Sequence, residues 1–164
     1  MKSTGTLYFF CGKMGAGKST AAKRIAEEQR AVLLSEDEWL NALYPDQIKT
    51  FDDYLEHAAQ MRPLVKQHVQ HLLAVGVDVV MDFPANTKKQ RKWFLDLVSE
   101  IDALHQLIFL NRTNEQCLRQ IAQRRQEQPE RAAFDTEAIF LQVTDYFEVP
   151  IASEGIRIVE WKGM

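Results

Sequence analysis

The sequence predicts a three-layer α/β/α fold in which a parallel sheet is covered by helices on both faces. Three observations carry that expectation: short, nearly continuous apolar runs, longer helix-like stretches alternating with them, and a glycine-rich turn between the first run and the first helix. Strands that alternate with helical patterns are the mark of βαβ units. Strands buried on both faces read as unbroken apolar runs rather than as alternating ones.

Five runs read as strands: "TLYFFC" (6–11), "AVLLS" (31–35), "VDVVMDF" (77–83), "LHQLIFL" (104–110) and "GIRIVEW" (155–161). Helices are expected near 18–29, 37–43, 52–75, 87–102, 114–127 and 136–147. Pro63 falls inside the longest of these. It predicts a kink or a division into two helices, because proline lacks an N–H and crowds the preceding turn. Gly76 is read as the stop of that helix and the opening of the third strand. Trp93, Phe94 and Leu97 stand at helical spacing and read as core. The polar stretch "QEQPERAAFD" (126–135) carries proline and arginine and is the expected lid, approximately 125–135.

The whole chain bounds the function. A length of 164 residues suits one domain, 1–164, with a substantial core. Hydrophobic content of 46% and charged content of 26% fit a globular chain, and a net charge of −3 gives no global attraction to nucleic acid or anionic membrane. Cys11 and Cys117 lie in no Cys-x-x-Cys or Cys/His pattern, so neither a disulfide frame nor a zinc site is expected. The opening "MKSTGTLYFFC" has too short an apolar stretch for a signal peptide, and no run reaches the roughly 20 residues of a membrane span. A reduced, cytoplasmic protein is the expectation.

The segment Gly12-Lys13-Met14-Gly15-Ala16-Gly17-Lys18-Ser19 satisfies G-x-x-x-x-G-K-[ST], and Thr20 follows it. It stands after a strand and opens a helix, where that motif has to be. Small residues let the backbone wrap phosphates with successive N–H groups turned inward, and the helix adds its positive end. Lys18 supplies a point charge to the β and γ phosphates, and the Ser19 hydroxyl is a candidate Mg²⁺ ligand. Asp82, at the exit of the third strand, is the second candidate metal ligand; Asp78, nearer the strand's entry, is the weaker competitor. In "LLSEDEW", Ser35 and Glu38 read as a capping box, which leaves Asp37 as candidate base for an incoming hydroxyl.

These segments resemble a known family. The loop 12–20, "LLSEDEW" (33–39), "GVDVVMDFPANTKKQRKWF" (76–94), "CLRQIAQRR" (117–125) and "FEVPIASEGIRIVEW" (147–161) look like the small P-loop kinases of the AAA_33 type, relatives of the zeta-toxin, chloramphenicol phosphotransferase and polynucleotide-kinase group. The resemblance implies an adenylate-kinase-like core with strand order 2-3-1-4-5, Asp37 and Asp82 beside the glycine loop, and a mobile arginine-bearing lid. It also implies transfer of the γ-phosphate of ATP, with Mg²⁺, to a hydroxyl. Many relatives carry an acceptor-holding arginine three residues after the aspartate. Here that position is Leu40, preceded by Trp39, which implies a more apolar or aromatic-stacked acceptor; Arg62 is a candidate for the displaced charge.

"TKKQRKW" sets Lys88, Lys89, Arg91 and Lys92 at a helix start, where cations oppose the helix dipole and hint at an anion to be met. The forked guanidinium of Arg91 makes it the candidate clamp for phosphate or carboxylate. Arg119, Arg124, Arg125 and Arg131 flank the lid. Arg124, then Arg125, is the candidate to neutralise charge on the transferring phosphoryl group. His68 and His71 lack a carboxylate at matching spacing and read as structural. The expected activity is a kinase acting on a small hydroxyl-bearing substrate. The alternatives are a 5′-hydroxyl nucleic-acid kinase, against which the acidic pI weighs, and a nucleotide-binding regulator or slow NTPase.

Overall fold

A computed structural model describes residues 3–129 and 135–161. Its elements are β1 (Thr6–Gly12), α1 (Lys18–Gln29), β2 (Val32–Ser35), α2 (Glu36–Leu43), α3 (Phe51–Ala74), β3 (Val79–Pro84), α4 (Lys88–Ser99), β4 (Leu104–Leu110), α5 (Asn114–Glu127), α6 (Glu137–Thr144) and β5 (Ile158–Glu160). The sheet runs β2-β3-β1-β4-β5 with every neighbouring pair parallel, the order implied by the resemblance. The chain leaves β1 toward one edge and later returns to its other side. The carboxyl end of β1 is therefore the topological switch point, where open α/β sheets place their ligands.

The apolar strands are buried on both faces because two cores flank them. Leu7, Phe9 and Cys11 of β1 point into one, with Met61, Val65 and Phe94, and the Phe9 and Phe94 rings stack at 4.5 Å. Tyr8 and Phe10 point into the other, with Ala22, Ile121 and Phe140. Phe94 and Leu97 are core as expected, and Trp93 packs at its margin.

Pro63 does not divide the long helix: α3 is a single 24-residue helix with Pro63 inside it. A mid-helix proline costs about 3 kcal/mol. Met61, Val65, Val69 and Leu73 are each at most 2% exposed on one face of α3, and each such burial returns roughly 1.5–3 kcal/mol. Packing wins. Gly76 is the helix stop, at φ +91°, with its N–H donating to Leu73 O and that of Val77 to Leu72 O, both at 3.0 Å. This is the paired closure of a Schellman end. β5 is shorter than the expected 155–161: Gly155, at φ +81°, closes a 3₁₀ turn over Ala152–Glu154, and the ladder runs over Ile158–Glu160.

The helix starts separate into two kinds. α3, α4, α5 and α6 begin at Thr50, Thr87, Thr113 and Thr136, whose hydroxyls each accept an N–H of the first turn. α2 begins at Ser35, whose hydroxyl accepts the Glu38 N–H at 3.4 Å, the Ser35 half of the expected box. α1 begins at Gly17, with no side-chain cap and no acidic residue in its first turn.

Candidate functional site

The uncapped start of α1 faces the loop that precedes it. Gly15 and Gly17 hold φ of +80° and +97°, the left-handed region that only glycine enters freely. A Cβ on Gly15 would lie 2.7 Å from the Cys117 carbonyl and from Ile121, so the loop is pressed directly onto α5. The Gly12 N–H donates to Asn86 Oδ1 at 2.9 Å, which ties the loop's entrance to the segment after β3. Lys13 is drawn away from the cradle: its Nζ donates to Asn114 Oδ1 at 2.8 Å and lies over the Phe147 ring. Met14 and Ala16 pack toward the second core. The Ala16 N–H donates to Lys13 O at 3.0 Å; the other N–H groups of the loop and first turn make a ready anion nest.

Lys18 opens α1, and burial lowers its proton affinity; Asp82, Cys11, Glu36 and Asp37 pull the other way. The Ser19 hydroxyl donates to Asp82 Oδ2 at 2.7 Å. Burial raises the proton affinity of Asp82 from its ordinary value, against the Ser19 hydrogen bond and Lys18. Asp78 is turned to the opposite end of the sheet, where its Oδ1 accepts the Thr6 N–H at 2.8 Å. A hydroxyl and a carboxylate side by side are hard oxygen donors of the kind Mg²⁺ takes in nucleotide sites, where phosphate and water complete its shell. The pair fits such an ion. Among the described residues no cluster of three or more His, Cys, Asp or Glu is placed to hold a metal alone.

The ladder Ser35↔Asp82 brings the exit of β2 beside the exit of β3. Asp37, in the first turn of α2, follows there and acts electrostatically on both Lys18 and Asp82. Between Ser35 and Asp37 stands a residue that sequence reasoning passed over. Glu36 is 3% exposed. The Tyr54 hydroxyl of α3 donates to its Oε1. Its Oε2 has no hydrogen-bond partner among the described residues. Burial pushes Glu36 up to about 7, opposed by the Tyr54 hydrogen bond, reinforced by Asp37 and opposed again by Arg62 and Lys18. A run of three acidic residues at a helix start offers no sign of which one is buried. Asn86, which anchors Gly12, was equally unmarked.

Trp39 is half-buried beside His68, and Leu40 is core at 2%. Neither replaces the cation that the resemblance assigns after the aspartate.

The arginines fall differently from expectation. Arg91 clamps a carboxylate, but an internal one. Its Nε and Nη2 donate to Glu154 at 2.9 and 3.2 Å, and Nη1 donates to Ala85 O at 3.0 Å. It is fully buried, so its fork is not offered to a ligand. At the start of α4 the Glu148 carboxylate accepts the Lys88 main-chain N–H at 3.1 Å. Lys92 pairs with Asp96, and Arg119 with Glu115, each across one helix turn. Arg124 makes a two-pronged pair with Asp135 at 2.7 and 2.8 Å, and Arg125 donates to the Asp135 carbonyl at 3.2 Å. Arg131 and the tip of the expected lid, 130–134, lie outside the described residues.

On the β4–β5 side of the loop a cleft of about 320 Å³ opens, lined by Thr20, Arg24, Arg112, Gln116, Gln120 and Trp161. The Arg24 guanidinium lies 5.8 Å from the Trp161 ring centre. The cleft is continuous with the glycine loop through Gly15, Ala16 and Gly17.

A family profile described as AAA domain, AAA_33, matches residues 7–150. The chain belongs to the AAA_33 family. Comparison with curated proteins finds no match. Among solved structures, this AAA_33 chain is similar to a Chloroflexus aurantiacus protein provisionally described as a kinase, with a TM-score of 0.74, 16% identity and coverage of 96% of this chain and 88% of that one. It is similar to the Mycobacterium tuberculosis APS kinase CysC in complex with AMPPNP and APS, at TM-score 0.61 and 19% identity, covering 99% and 91%. It is also similar to Chaetomium thermophilum Kti12 in complex with ADP-AlF3, at TM-score 0.65 and 17% identity, covering 95% and 89%. The fold is that of P-loop kinase-like proteins, and two of these neighbours were solved with nucleotide analogues or nucleotide bound. Among the described residues no helix is long and apolar enough to cross a membrane.

Proposed function

We propose that this AAA_33 chain is an ATP-dependent kinase, one catalytic domain over 1–164, that moves the γ-phosphate of Mg·ATP to a hydroxyl of a small molecule. The observation that carries the reading is one contrast: five helices start under a Ser or Thr cap, whereas α1 starts uncapped, inside a glycine nest, with Lys18 and the Ser19–Asp82 pair beside it. Residues Gly12 to Thr20 bind the phosphates through main-chain N–H groups, and Lys18 neutralises the β and γ oxygens. The cleft beside Trp161 and Arg24 takes the nucleoside, whose flat base suits an aromatic and a guanidinium face.

Ser19 and Asp82 are the residues that would hold Mg²⁺, which when bound neutralises charge on the phosphate oxygens. Asp37 accepts the proton of the acceptor hydroxyl. The acceptor oxygen forms its bond to the γ-phosphorus, the bond from that phosphorus to the bridging oxygen breaks, and ADP leaves with the electron pair. Arg124 and Arg125 are the lid cations for the charge that develops; a cation in cis of this kind is worth about 10³–10⁵ in rate. Redirecting Arg125, which gives up a carbonyl contact, costs less than redirecting Arg124, which gives up a two-pronged carboxylate pair.

The test is ADP release from Mg·ATP across a panel of hydroxyl compounds, with calorimetry of nucleotide binding alongside. Lys18→Ala is expected to weaken binding and lower turnover by roughly 100-fold or more. Asp37→Asn is expected to keep nucleotide binding and lose transfer. A 5′-hydroxyl oligonucleotide that becomes labelled instead would move the acceptor to nucleic acid. Nucleotide binding that no hydroxyl compound converts to stimulated turnover would leave a regulator or slow NTPase.

A further inference from the structure

The cleft of about 320 Å³ beside the glycine loop carries an imbalance of charge. The described residues that line it include two arginines, Arg24 and Arg112, and no carboxylate. Arg24 is answered from within α1, where its Nε donates to Glu28 at 3.0 Å. Arg119, Arg124 and Arg125 of α5 are likewise taken, the first by Glu115 and the other two by Asp135. The Arg112 side chain is partly buried and makes no hydrogen bond or ion pair among the described residues.

Its backbone, in contrast, is fixed from both directions. The Arg112 N–H donates to Leu110 O at 3.1 Å, at the end of β4. Thr113 then caps α5, and the Gln116 side chain accepts the Thr113 N–H at 2.9 Å. Leu110 stands opposite Gly12 in the sheet, and α5 is pressed on Gly15 through the Cys117 carbonyl. The stem of Arg112 is therefore set relative to the glycine loop, and only its guanidinium has to adapt. A partly desolvated cation facing a cleft without an acid is stabilised by an anion that enters the cleft.

We propose that Arg112 is a nucleotide-binding residue that takes the α-phosphate on its guanidinium fork. This rests on the placement of the nucleoside in this cleft and of the β and γ phosphates on the loop, and not on transfer to an acceptor. The α-phosphate joins those two parts, and Arg112 lines the cleft together with both the loop residues Gly15 to Gly17 and Trp161. A planar fork meets phosphate oxygens on two nitrogens at once. The charge on the α-phosphate is nearly the same before and during transfer, so the contact contributes to nucleotide binding rather than to lowering the barrier. That separates Arg112 from the lid cations Arg124 and Arg125.

The experiment is calorimetry, by displacement where binding is weak, of adenosine, AMP, Mg·ADP and Mg·ATP, with thermal unfolding as the check on folding. Arg112→Gln is expected to weaken AMP, ADP and ATP by one common factor of about 10-fold or more, and adenosine by less than about twofold. Arg112→Lys, which keeps the charge and loses the fork, should recover part of the loss. Arg119→Gln, which removes a cation from the surface of α5, should change none of the four by more than about twofold.

A loss confined to ATP, or shared by ADP and ATP but not AMP, would move Arg112 to the γ or the β phosphate and overturn the inference. So would an equal loss for adenosine, which would make the residue a wall of the nucleoside cleft. No loss at all would leave it a solvent-facing arginine and also overturn the assignment. Binding in the expected order with no acceptor raising turnover would uphold this inference while the kinase reading failed. A wild-type protein that binds none of the four would end both.

Discussion

Arg91 and Glu36 are both withdrawn from water, at 0% and 3% exposure, and they are finished in opposite ways. Arg91 meets a carboxylate on two nitrogens and a backbone carbonyl on a third, so its charge is answered within the protein. Glu36 is answered on one oxygen and not on the other. The first arrangement fastens the segment after β3 to the turn before β5. The second leaves a buried carboxyl that holds its proton to about pH 7. Completion fastens a charge into the fold, whereas incompletion is met by neutralising the group. As letters in the sequence, Arg91 stood out as a candidate clamp and Glu36 was passed over.

The largest effect that tests this contrast is on stability. Removing one member of a buried ion pair strands the other, at a cost of about 3–5 kcal/mol. Glu154→Ala is therefore expected to lower the unfolding free energy by about that much in urea titrations. The double variant Arg91→Met, Glu154→Leu should recover part of the loss, because no charge is then left buried. Nucleotide affinity in the folded fraction should not change. A loss below about 1 kcal/mol would place the pair with ordinary surface bridges and remove one side of the comparison.

The second effect concerns Glu36 and has a sign fixed by linkage. The folded protein keeps the Glu36 proton up to about pH 7, whereas the ordinary value is 4.5. The stability associated with that proton is fully present below pH 4.5 and is lost as pH rises through 7. Glu36→Gln has no proton to lose. Relative to the wild type it should gain about 3 kcal/mol of stability between those limits, read from denaturant midpoints at several pH values. A difference that stays flat with pH would mean that Glu36 is not desolvated, and the contrast with Arg91 would dissolve.

The glycine loop was legible and the surroundings of Glu36 were not, for a physical reason. The cradle of Gly12 to Ser19 is built from backbone, and backbone conformation demands particular letters at particular spacings: glycine at the positive-φ positions 15 and 17, lysine and a hydroxyl at the helix start. The alternation of apolar runs and helices carried the sheet and its helical layers in the same way, and the resemblance supplied the strand order. The surroundings of Glu36 are assembled from side chains that meet only through folding. Glu36 and Tyr54 are 18 residues apart, and nothing in either letter names the other. Gly12 and Asn86 are 74 apart. Arg91 misled for the same reason, since its partner Glu154 lies 63 residues on. Pro63 does not divide α3 because the helix's buried face outweighs the local rule.

The smallest effect separates the two halves of the Glu36 environment. Tyr54→Phe removes the hydroxyl and leaves the ring, so Glu36 loses the hydrogen bond that favours its charged form. A hydrogen bond to a charged acceptor contributes about 1.5–3 kcal/mol and one to a neutral acceptor about 0.5–1.5. The variant should therefore lose about 2 kcal/mol at pH 8, where the carboxyl is mostly ionised, and about 1 kcal/mol at pH 5, where it holds its proton. The direction follows from the carboxyl's own titration: without the Tyr54 donor its proton is held to still higher pH, and the charged form becomes the costlier one. A cost that is the same at both pH values would show that the tyrosine faces one protonation state throughout, and Glu36 would then belong with Arg91 as a settled charge.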